Sequence, residues 1–274
     1  MQVESLFVYP VKGCAGVELE RMQLDEHGPL LDRLWMVVDG DGRFMTQRAC
    51  PRLALIHVEV GADHLELSAE GRGSVRVPLA EEAGDGARRR VVCWWFEGDG
   101  IDQGAELARW LSEGLGQEAA LVRMAADTVR EVNPARSPER AVTRFTDGYP
   151  FLVINRSSLD DLDRRMREPV PVNRYRPNVV VSGAPAYAED RWRRIRIADI
   201  PLDVVKSCQR CAVTVTDQAT AARVKEPLAT LARYRRVENG DVLLGVNAVH
   251  RASGSIAVGD PIEVVEEGEP PVFL

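Results

Sequence analysis

Two cysteines and an arginine stand close together in the segment KSCQRCAVTVTD, residues 206–217. Cys208 and Cys211 have the Cys-x-x-Cys spacing, and Arg210 lies between them. A fixed positive charge favours the thiolate form of a nearby cysteine, and the thiolate is the form that binds metals and attacks electrophiles. Cys211 is therefore the first candidate for chemistry in this chain.

The Cys-x-x-Cys spacing by itself leaves three interpretations open. It is typical of a dithiol redox pair or of half a zinc site, and two buried structural cysteines have the same spacing. A zinc site needs four ligands, whereas the other three cysteines and the four histidines are scattered singly. A thioredoxin-type motif begins a helix, whereas the alternating, β-branched residues 212–216 predict a strand.

Short strands separated by glycine-bearing turns dominate the rest of the pattern. Alternation of apolar residues predicts strands over residues 3–9, 18–24, 53–60, 64–68, 74–79, 91–96, 121–124, 149–154, 179–182, 194–197, 202–206, 242–250 and 259–265, and a hairpin over 31–39 and 44–47. Leucines at helical spacing predict a helix over 105–115, a second helix is capped by Ser157 or Ser158, and a short one lies within 225–231. This is a mainly β pattern with peripheral helices, typical of barrels or sandwiches.

Two of the connections carry basic residues that can bind an anion. The turn 10–16 presents Lys12 with free backbone amides, and backbone N–H groups beside an ammonium form a phosphate-sized concavity. Arg174 and Arg176 precede the predicted strand 179–182, where two guanidinium groups can clamp an anion. The only other lysines are Lys206 and Lys225, so two interpretations are open: the lysines occupy positions that need a compact ammonium, or they have survived by chance in an arginine-rich chain. Residues 84–90 are predicted to form a connection, and residues 125–148 a long loop, which is often functional or mobile.

The amino-acid composition limits the classes of protein to which this chain can belong. The 274 residues are 45% hydrophobic and 28% charged, which is typical of a globular protein. The net charge of -7 argues against nucleic-acid binding and against an anionic membrane surface. No apolar run approaches the length of a membrane span, and the N-terminus lacks the features of a signal peptide. Five cysteines without a disulfide spacing predict a reducing, cytoplasmic location.

Several separated motifs together resemble one family. They are YPVKGC at 9–14, DRLW at 32–35, RL at 52–53, YPFL at 149–152, RYRPN at 174–178, AEDRW at 188–192, CQRC at 208–211 followed by Thr214 and Asp217, KEPLATL at 225–231 and VGDP at 258–261. In this order they are similar to the MOSC family, in the two-domain form of the mitochondrial amidoxime-reducing component and its bacterial relatives. The resemblance covers nearly the whole chain. It implies an N-terminal MOSC β-barrel domain, residues 1–120, against a MOSC β-barrel domain, residues 121–268.

The resemblance also implies a cofactor, molybdenum held by molybdopterin and by one protein cysteine. The matching cysteine is Cys211, the expected metal ligand and catalytic residue, and Cys208 would then be a supporting residue. The residues expected to contact the pterin and its phosphate are Lys12, Gly13, Arg33, Gly148, Tyr149, Arg176, Asn178, Gln209 and Arg210. Tyr149 and Asp217 are nearby candidates for a general acid.

The implied function is a molybdenum-dependent oxidoreductase that reduces small N-hydroxylated compounds, namely hydroxylamines, amidoximes and N-hydroxylated bases, as in detoxification. Its electrons would come from an external donor such as a flavin reductase, a flavodoxin or an iron–sulfur protein. Two alternatives are a sulfur carrier, which would use a persulfide on Cys211 to mature a metal–sulfur cofactor, and a non-catalytic pterin- or phosphate-binding module. The carrier predicts a sulfur-loaded thiol and no stoichiometric molybdenum, and the module predicts binding that survives Cys211→Ser.

Overall fold

The computed structural model describes residues 1–80, 87–137 and 139–274. The strands within these ranges are β1 (Gln2–Val8), β2 (Val11–Lys12), β3 (Val17–Leu19), β4 (Arg21–Asp25), β5 (Gly28–Pro29), β6 (Trp35–Val38), β7 (His57–Val60), β8 (His64–Ser68), β9 (Ser74–Pro78), β10 (Arg88–Cys93), β11 (Phe96–Asp102), β12 (Ala120–Met124), β13 (Phe151–Asn155), β14 (Val179–Ser182), β15 (Trp192–Ile197), β16 (Ile200–Gln209), β17 (Leu243–His250), β18 (Gly254–Ala257) and β19 (Ile262–Glu267). The α-helices are α1 (Ala105–Leu115), α2 (Arg156–Arg165) and α3 (Leu228–Leu231), and 3₁₀ turns cover Pro51–Leu55, Val172–Arg174, Ala188–Arg191 and Ala212–Val215. The mainly β prediction is confirmed.

The largest sheet combines both ends of the chain. It has eight strands in the order β19-β15-β16-β17-β13-β14-β1-β3, and β13 runs parallel to β14. The N-terminal strand β1 pairs antiparallel with β14, with Leu6 opposite Val179. Antiparallel pairing puts the end of one strand beside the start of its neighbour. The turn that follows β1 therefore lies beside the loop that precedes β14.

A second sheet belongs to the first half of the chain. It has the order β10-β11-β12-β6-β2, and two three-stranded sheets, β18-β4-β5 and β7-β8-β9, complete the described strands. One apolar core contains Trp192 and the inward faces of the eight-stranded sheet. Another core lies around Trp35 and the buried face of α1. The short strand β2 links the two regions, because it leads from β1 into a parallel pairing with β6.

The helix predicted over residues 105–115 is confirmed residue for residue. Leu107, Leu111 and Leu115 are buried, as their helical spacing requires. Gly116 ends the helix in the left-handed conformation, with φ of +73°, a conformation that costs glycine little. The second predicted helix forms, but Asn155 caps it by accepting a hydrogen bond from the Ser157 amide.

Other local predictions are wrong, and the reasons lie in hydrogen bonding. Residues 212–215 form a 3₁₀ turn and not a strand, because the Cys211 carbonyl accepts from both the amide and the hydroxyl of Thr214, at 3.0 and 2.9 Å. The predicted hairpin 31–39/44–47 keeps β6, whereas Phe44 contributes a single bridge to Val38. Residues 53–55 of the strand predicted over 53–60 belong instead to the 3₁₀ turn Pro51–Leu55, and only His57–Val60 forms a strand.

The long loop predicted over residues 125–148 is confirmed as irregular, with one isolated bridge between Glu131 and Val142 in its described part. A buried arginine organises its end. Arg130 donates hydrogen bonds to the carbonyls of Arg144 and Thr146, at 2.6 and 2.7 Å. Of the predicted connection 84–90, residues 84–86 lie outside the described residues. No described helix is long and apolar enough to cross a membrane.

Candidate functional site

One open cavity of about 1130 Å³ lies where the elements of the two halves meet. Its walls come from β2, the region before β6, the tip between β10 and β11, the end of the long loop, the loop before β14 and the end of β16. All ten predicted site residues line it: Lys12, Gly13, Arg33, Gly148, Tyr149, Arg176, Asn178, Gln209, Arg210 and Cys211. The structure therefore brings the predicted residues together, whereas their binding roles remain predictions.

The pairing of β1 with β14 builds the first wall. Arg176 donates from Nη1 to the carbonyl of Cys14 at 2.7 Å, and the Tyr9 hydroxyl donates to the carbonyl of Pro177 at 3.1 Å. These bonds join the turn after β1 to the loop before β14. Asn178 strengthens the same junction, because its side-chain amide donates to the Phe7 carbonyl at 3.2 Å.

Two arginines of this wall lie against the ring of Tyr9. The guanidinium carbon of Arg33 is 4.3 Å from the ring centre and that of Arg176 is 4.2 Å away. Burial raises the pKa of Tyr9 to about 12, so the ring stays neutral and offers its π-face to both cations. Both arginines have positive φ, +49° and +55°, a backbone conformation that residues other than glycine adopt uncommonly.

The two guanidinium groups differ in whether a carboxylate balances their positive charge. Arg33 forms a 2.6 Å ion pair with the buried carboxylate of Asp32. Arg176 has no such carboxylate among the described residues, and its Nη2 has no hydrogen-bond partner there. Burial lowers the pKa of Arg176 to about 10, which leaves the group charged at neutral pH. Of these two arginines, Arg176 is therefore the one with charge available for an anion.

Lys12, in the short strand β2 that follows β1, brings an ammonium group to the cavity. Its side chain is only 9% exposed, and Nζ lies 2.5 Å from Oδ1 of Asp147, whose side chain is 66% exposed toward the cavity. Partial desolvation by the cavity walls favours the neutral acid, but the charge and hydrogen bond of Lys12 outweigh it and hold the pKa of Asp147 well below its usual range. Asp147 is therefore a carboxylate at any pH near neutrality.

Cys211 lies at the end of β16 with a half-buried side chain. The arginine that hydrogen-bonds to this thiol is not its neighbour Arg210. Arg48 donates from Nη1 to Sγ of Cys211 at 3.1 Å, whereas Arg210 donates from Nη1 to Sγ of Cys208 at 3.1 Å and from Nη2 to the Tyr175 carbonyl at 2.6 Å. Each cysteine of the Cys-x-x-Cys segment thus accepts a hydrogen bond from a different arginine.

The structure also bears on the interpretations of the Cys-x-x-Cys spacing. Both cysteines are free thiols. Within the described ranges, no group of three or more His, Cys, Asp or Glu side chains could hold a metal ion. A metal at Cys211 would therefore take its further ligands from a cofactor.

Gln209, between the two cysteines, is exposed and accepts a hydrogen bond from Lys206 at 3.1 Å.

Glycines shape two points of the cavity wall. Gly13 has φ of +88° and its carbonyl accepts from the side chain of Gln47 at 2.7 Å. Gly148 has φ of +152° and its amide donates to the hydroxyl of Thr146 at 3.2 Å. The adjacent Tyr149 is half-buried, and burial raises the pKa of its hydroxyl, which therefore stays protonated.

Several residues of this site carry no motif in the sequence. The cavity is also lined by Arg48, Trp94, Trp95 and Asp147. Arg48 contacts Trp94 and Cys211, and Asp147 contacts Trp94 and Lys12. Arg48 directly follows the predicted hairpin strand 44–47, and Asp147 lies in the predicted long loop, so neither belongs to a segment with a periodic signal. The lysines did carry a usable signal, because all three lysines of the chain, Lys12, Lys206 and Lys225, line this one cavity.

Family models match most of the chain. A model described as the MOSC N-terminal beta barrel domain matches residues 1–118, and the MOSC domain model matches residues 140–263. The chain belongs to the MOSC family. The predicted domain boundary, between residues 120 and 121, lies in the segment 119–139 that neither model matches. The exact boundary remains a prediction.

Curated relatives fall into two functional groups. Mitochondrial amidoxime-reducing component 1 of Homo sapiens is 32% identical over 277 residues, 95% of this chain and 82% of the relative. Molybdenum cofactor sulfurase of Danio rerio is also 32% identical, over 91% of this chain, but this chain spans only 32% of that protein. Among solved structures, the YUAD protein from Bacillus subtilis is 11% identical, covers 95% of this chain and 93% of its own, and has a TM-score of 0.43.

Proposed function

We propose that this MOSC protein is a molybdenum-cofactor-dependent oxidoreductase that reduces N-hydroxylated compounds with electrons from a separate protein. The observation that carries the proposal is the arrangement of an accessible thiol, Cys211, in a cavity whose wall holds an arginine without a carboxylate partner, Arg176. Thiolate is a soft ligand suited to such a metal, and guanidinium is suited to a phosphate. The 32% identity to an amidoxime-reducing component over 95% of the chain supports the same activity.

The residues of the cavity fit a pterin that carries a dithiolene and a phosphate. Its volume, about 1130 Å³, is at the upper end of small-molecule sites, which leaves room for a cofactor together with a substrate. Arg176 Nη2 and Arg210 Nε are buried donors without a partner in the described residues. Buried donors without partners are costly, so a ligand that accepts from them would stabilise the fold.

Each part of the site then has a role. Cys211 would hold the metal, with Arg48 next to its sulfur, while Lys12, Arg33, Arg176 and Arg210 would hold the pterin and its phosphate. When bound, the molybdenum cofactor supplies the two-electron chemistry that takes oxygen from an N–OH group. The electron donor would be a flavin or iron–sulfur protein outside this chain.

Of the two candidate proton donors, the geometry favours Tyr149. Asp217 accepts hydrogen bonds from the hydroxyl of Thr220 and from the amides of residues 219 and 220, at 2.9–3.0 Å. These bonds, led by the Thr220 hydroxyl, hold its pKa low, so Asp217 stays ionised. Tyr149 lines the cavity and keeps its proton, and it would donate that proton to a leaving amine or hydroxide.

Molybdenum content tests the proposal directly. Wild type, Cys211→Ser and Cys208→Ser would be produced in a host that makes the cofactor, and metal per chain would be measured by elemental analysis. Cys208 is a matched control because it lies three residues away, is also half-buried and also has an arginine on its sulfur. We expect metal close to one per chain in wild type and Cys208→Ser and a loss in Cys211→Ser, followed by turnover of an amidoxime with an artificial reductant. No metal in wild type, while a co-produced molybdoenzyme is loaded, would refute the proposal.

A second candidate is a sulfur carrier. The observation in its favour is that the chain matches about a third of a molybdenum cofactor sulfurase as closely as it matches the reductase. The Arg48 contact would equally stabilise a persulfide anion on Cys211. Mass spectrometry of the intact chain distinguishes the two, because the carrier has an added sulfur that a thiol reductant removes and that is absent from Cys211→Ser.

A further inference from the structure

Two tryptophans form the tip of the hairpin between β10 and β11. Cys93 pairs with Phe96, so that Trp94 and Trp95 are the two residues of the turn. Trp94 has φ of +60°, a conformation that two-residue hairpin turns usually give to glycine, asparagine or aspartate. A bulky residue held there is strained, and such strain persists where the surroundings enforce it. Both tryptophans line the cavity.

Trp94 is fixed on several sides within the protein. Its Nε1 donates to Oδ1 of Asp147 at 3.1 Å, and the ring of Phe44 is 4.9 Å away. The guanidinium of Arg48 lies 4.5 Å from the Trp94 ring, and the same guanidinium donates to Sγ of Cys211. One residue therefore connects the hairpin tip to the thiol, which places the tip next to the site of chemistry.

Trp95 differs from Trp94 because most of its surface is uncovered. It is 67% exposed, so it lies at the opening of the cavity that it lines. Its ring has the guanidinium carbon of the buried Arg130 at 5.7 Å. Its edge lies over Gly148, where an added Cβ would be 3.5 Å from Cη2 of the indole. The neighbouring Trp94 holds the turn in place, so this indole is an exposed aromatic surface beside the cavity.

We propose that Trp95 is a stacking platform that selects substrates whose N-hydroxylated group is attached to a planar ring. Aryl amidoximes and N-hydroxylated heteroaromatic bases have such rings, whereas aliphatic hydroxylamines and amidoximes do not. Stacking needs only a π-face on the ligand, so the platform sets a preference for a class and not for one compound. This inference rests on the proposed reductase function, since it names the substrates of the same site.

The test compares benzamidoxime with acetamidoxime, which share the N-hydroxyamidine group and differ in the ring. Their Kd values would be measured by calorimetry on the oxidised, molybdenum-loaded protein, where no turnover occurs, for wild type, Trp95→Ala and Trp95→Phe. We expect wild type to bind the ring compound more tightly, and the preference to fall roughly 5- to 100-fold in Trp95→Ala. Trp95→Phe keeps a π-face and should keep most of the preference.

The outcomes separate this inference from the proposed function. An undiminished ring preference in Trp95→Ala, or no ring preference in wild type, would overturn the platform. Reduction of neither compound by the loaded wild type with an artificial reductant would overturn the reductase proposal instead, while the binding data still decide the role of Trp95. Metal content equal to that of wild type shows that the variants keep the cofactor site intact.

Discussion

Replacement of Asp147 by asparagine tests whether Lys12 is available to an anion. Asparagine keeps the shape of the side chain and the oxygen that accepts from Trp94, but it removes the negative charge 2.5 Å from Nζ of Lys12. In wild type this charge both neutralises the ammonium and repels any phosphate that binds to it. The substitution therefore affects affinity and stability in opposite directions.

The gain in anion affinity follows from Coulomb's law. A phosphate bound to Lys12 would lie about 5 Å from the carboxylate, and the repulsion at that distance is about 1 kcal/mol in water and about 3 kcal/mol at an effective dielectric constant of about 20. Because the Asp147 side chain is 66% exposed, the lower figure applies. We expect Asp147→Asn to bind inorganic phosphate about fivefold more tightly than wild type.

The loss of stability comes from Lys12, which keeps its charge in a nearly buried position. Loss of its counter-ion should cost about 1–2 kcal/mol, between the values for exposed and buried pairs, and lower the Tm by roughly 2–8 °C. A depressed carboxyl pKa means that the pair stabilises the fold above the ordinary carboxyl range and loses that effect only as the pH falls below it. The difference in Tm should therefore be constant from about pH 5 to 8.

Calorimetric titration with phosphate and thermal unfolding with and without phosphate measure both effects. The matched control is Asp127→Asn, which removes the same charge from an exposed pair with Arg88 at 2.8 Å. The control should change neither phosphate affinity nor its effect on the Tm. Phosphate affinity in Asp147→Asn equal to that of wild type would refute the idea that Lys12 belongs to an anion site.

Two further predictions concern the buried acidic residues of the 3₁₀ turn Ala188–Arg191. Asp190→Asn should cost about 3–5 kcal/mol, because it leaves the guanidinium of Arg235, with a side chain only 4% exposed, without its bidentate partner at 2.7 and 2.8 Å. Denaturant unfolding checks this, and a loss below about 1 kcal/mol would contradict it. Burial raises the pKa of Glu189 to about 7, above the unfolded value, so the fold favours the protonated form and wild-type stability falls as the pH rises from about 4.5 to 7. Glu189→Gln should lack that slope and be more stable than wild type at about pH 8 by about 1–3 kcal/mol, as unfolding curves at several pH values would show.

Local patterns in the sequence determined the family, the mainly β class and the individual elements with strong periodicity. Helix α1 is predicted to the residue, because three leucines at helical spacing and a terminal glycine depend on neighbours within one or two turns. The strand predicted after Cys211 is wrong because another local interaction competes with strand formation. Its β-branched residues favour a strand, but a hydroxyl of Thr214 bonds back to the carbonyl three residues earlier and closes a turn.

The residues predicted for the site were found through motifs, and the structure places all of them around one cavity. Which partners they have was decided by tertiary structure alone. Arg210 is next to Cys211 in the chain, yet the guanidinium on that sulfur belongs to Arg48, which is 163 residues away. Lys12 similarly meets Asp147 across 135 residues. A side chain's electrostatic partner depends on distance in space, and the pairings of β1 with β14 and of β2 with β6 are among those that bring distant segments of the chain together.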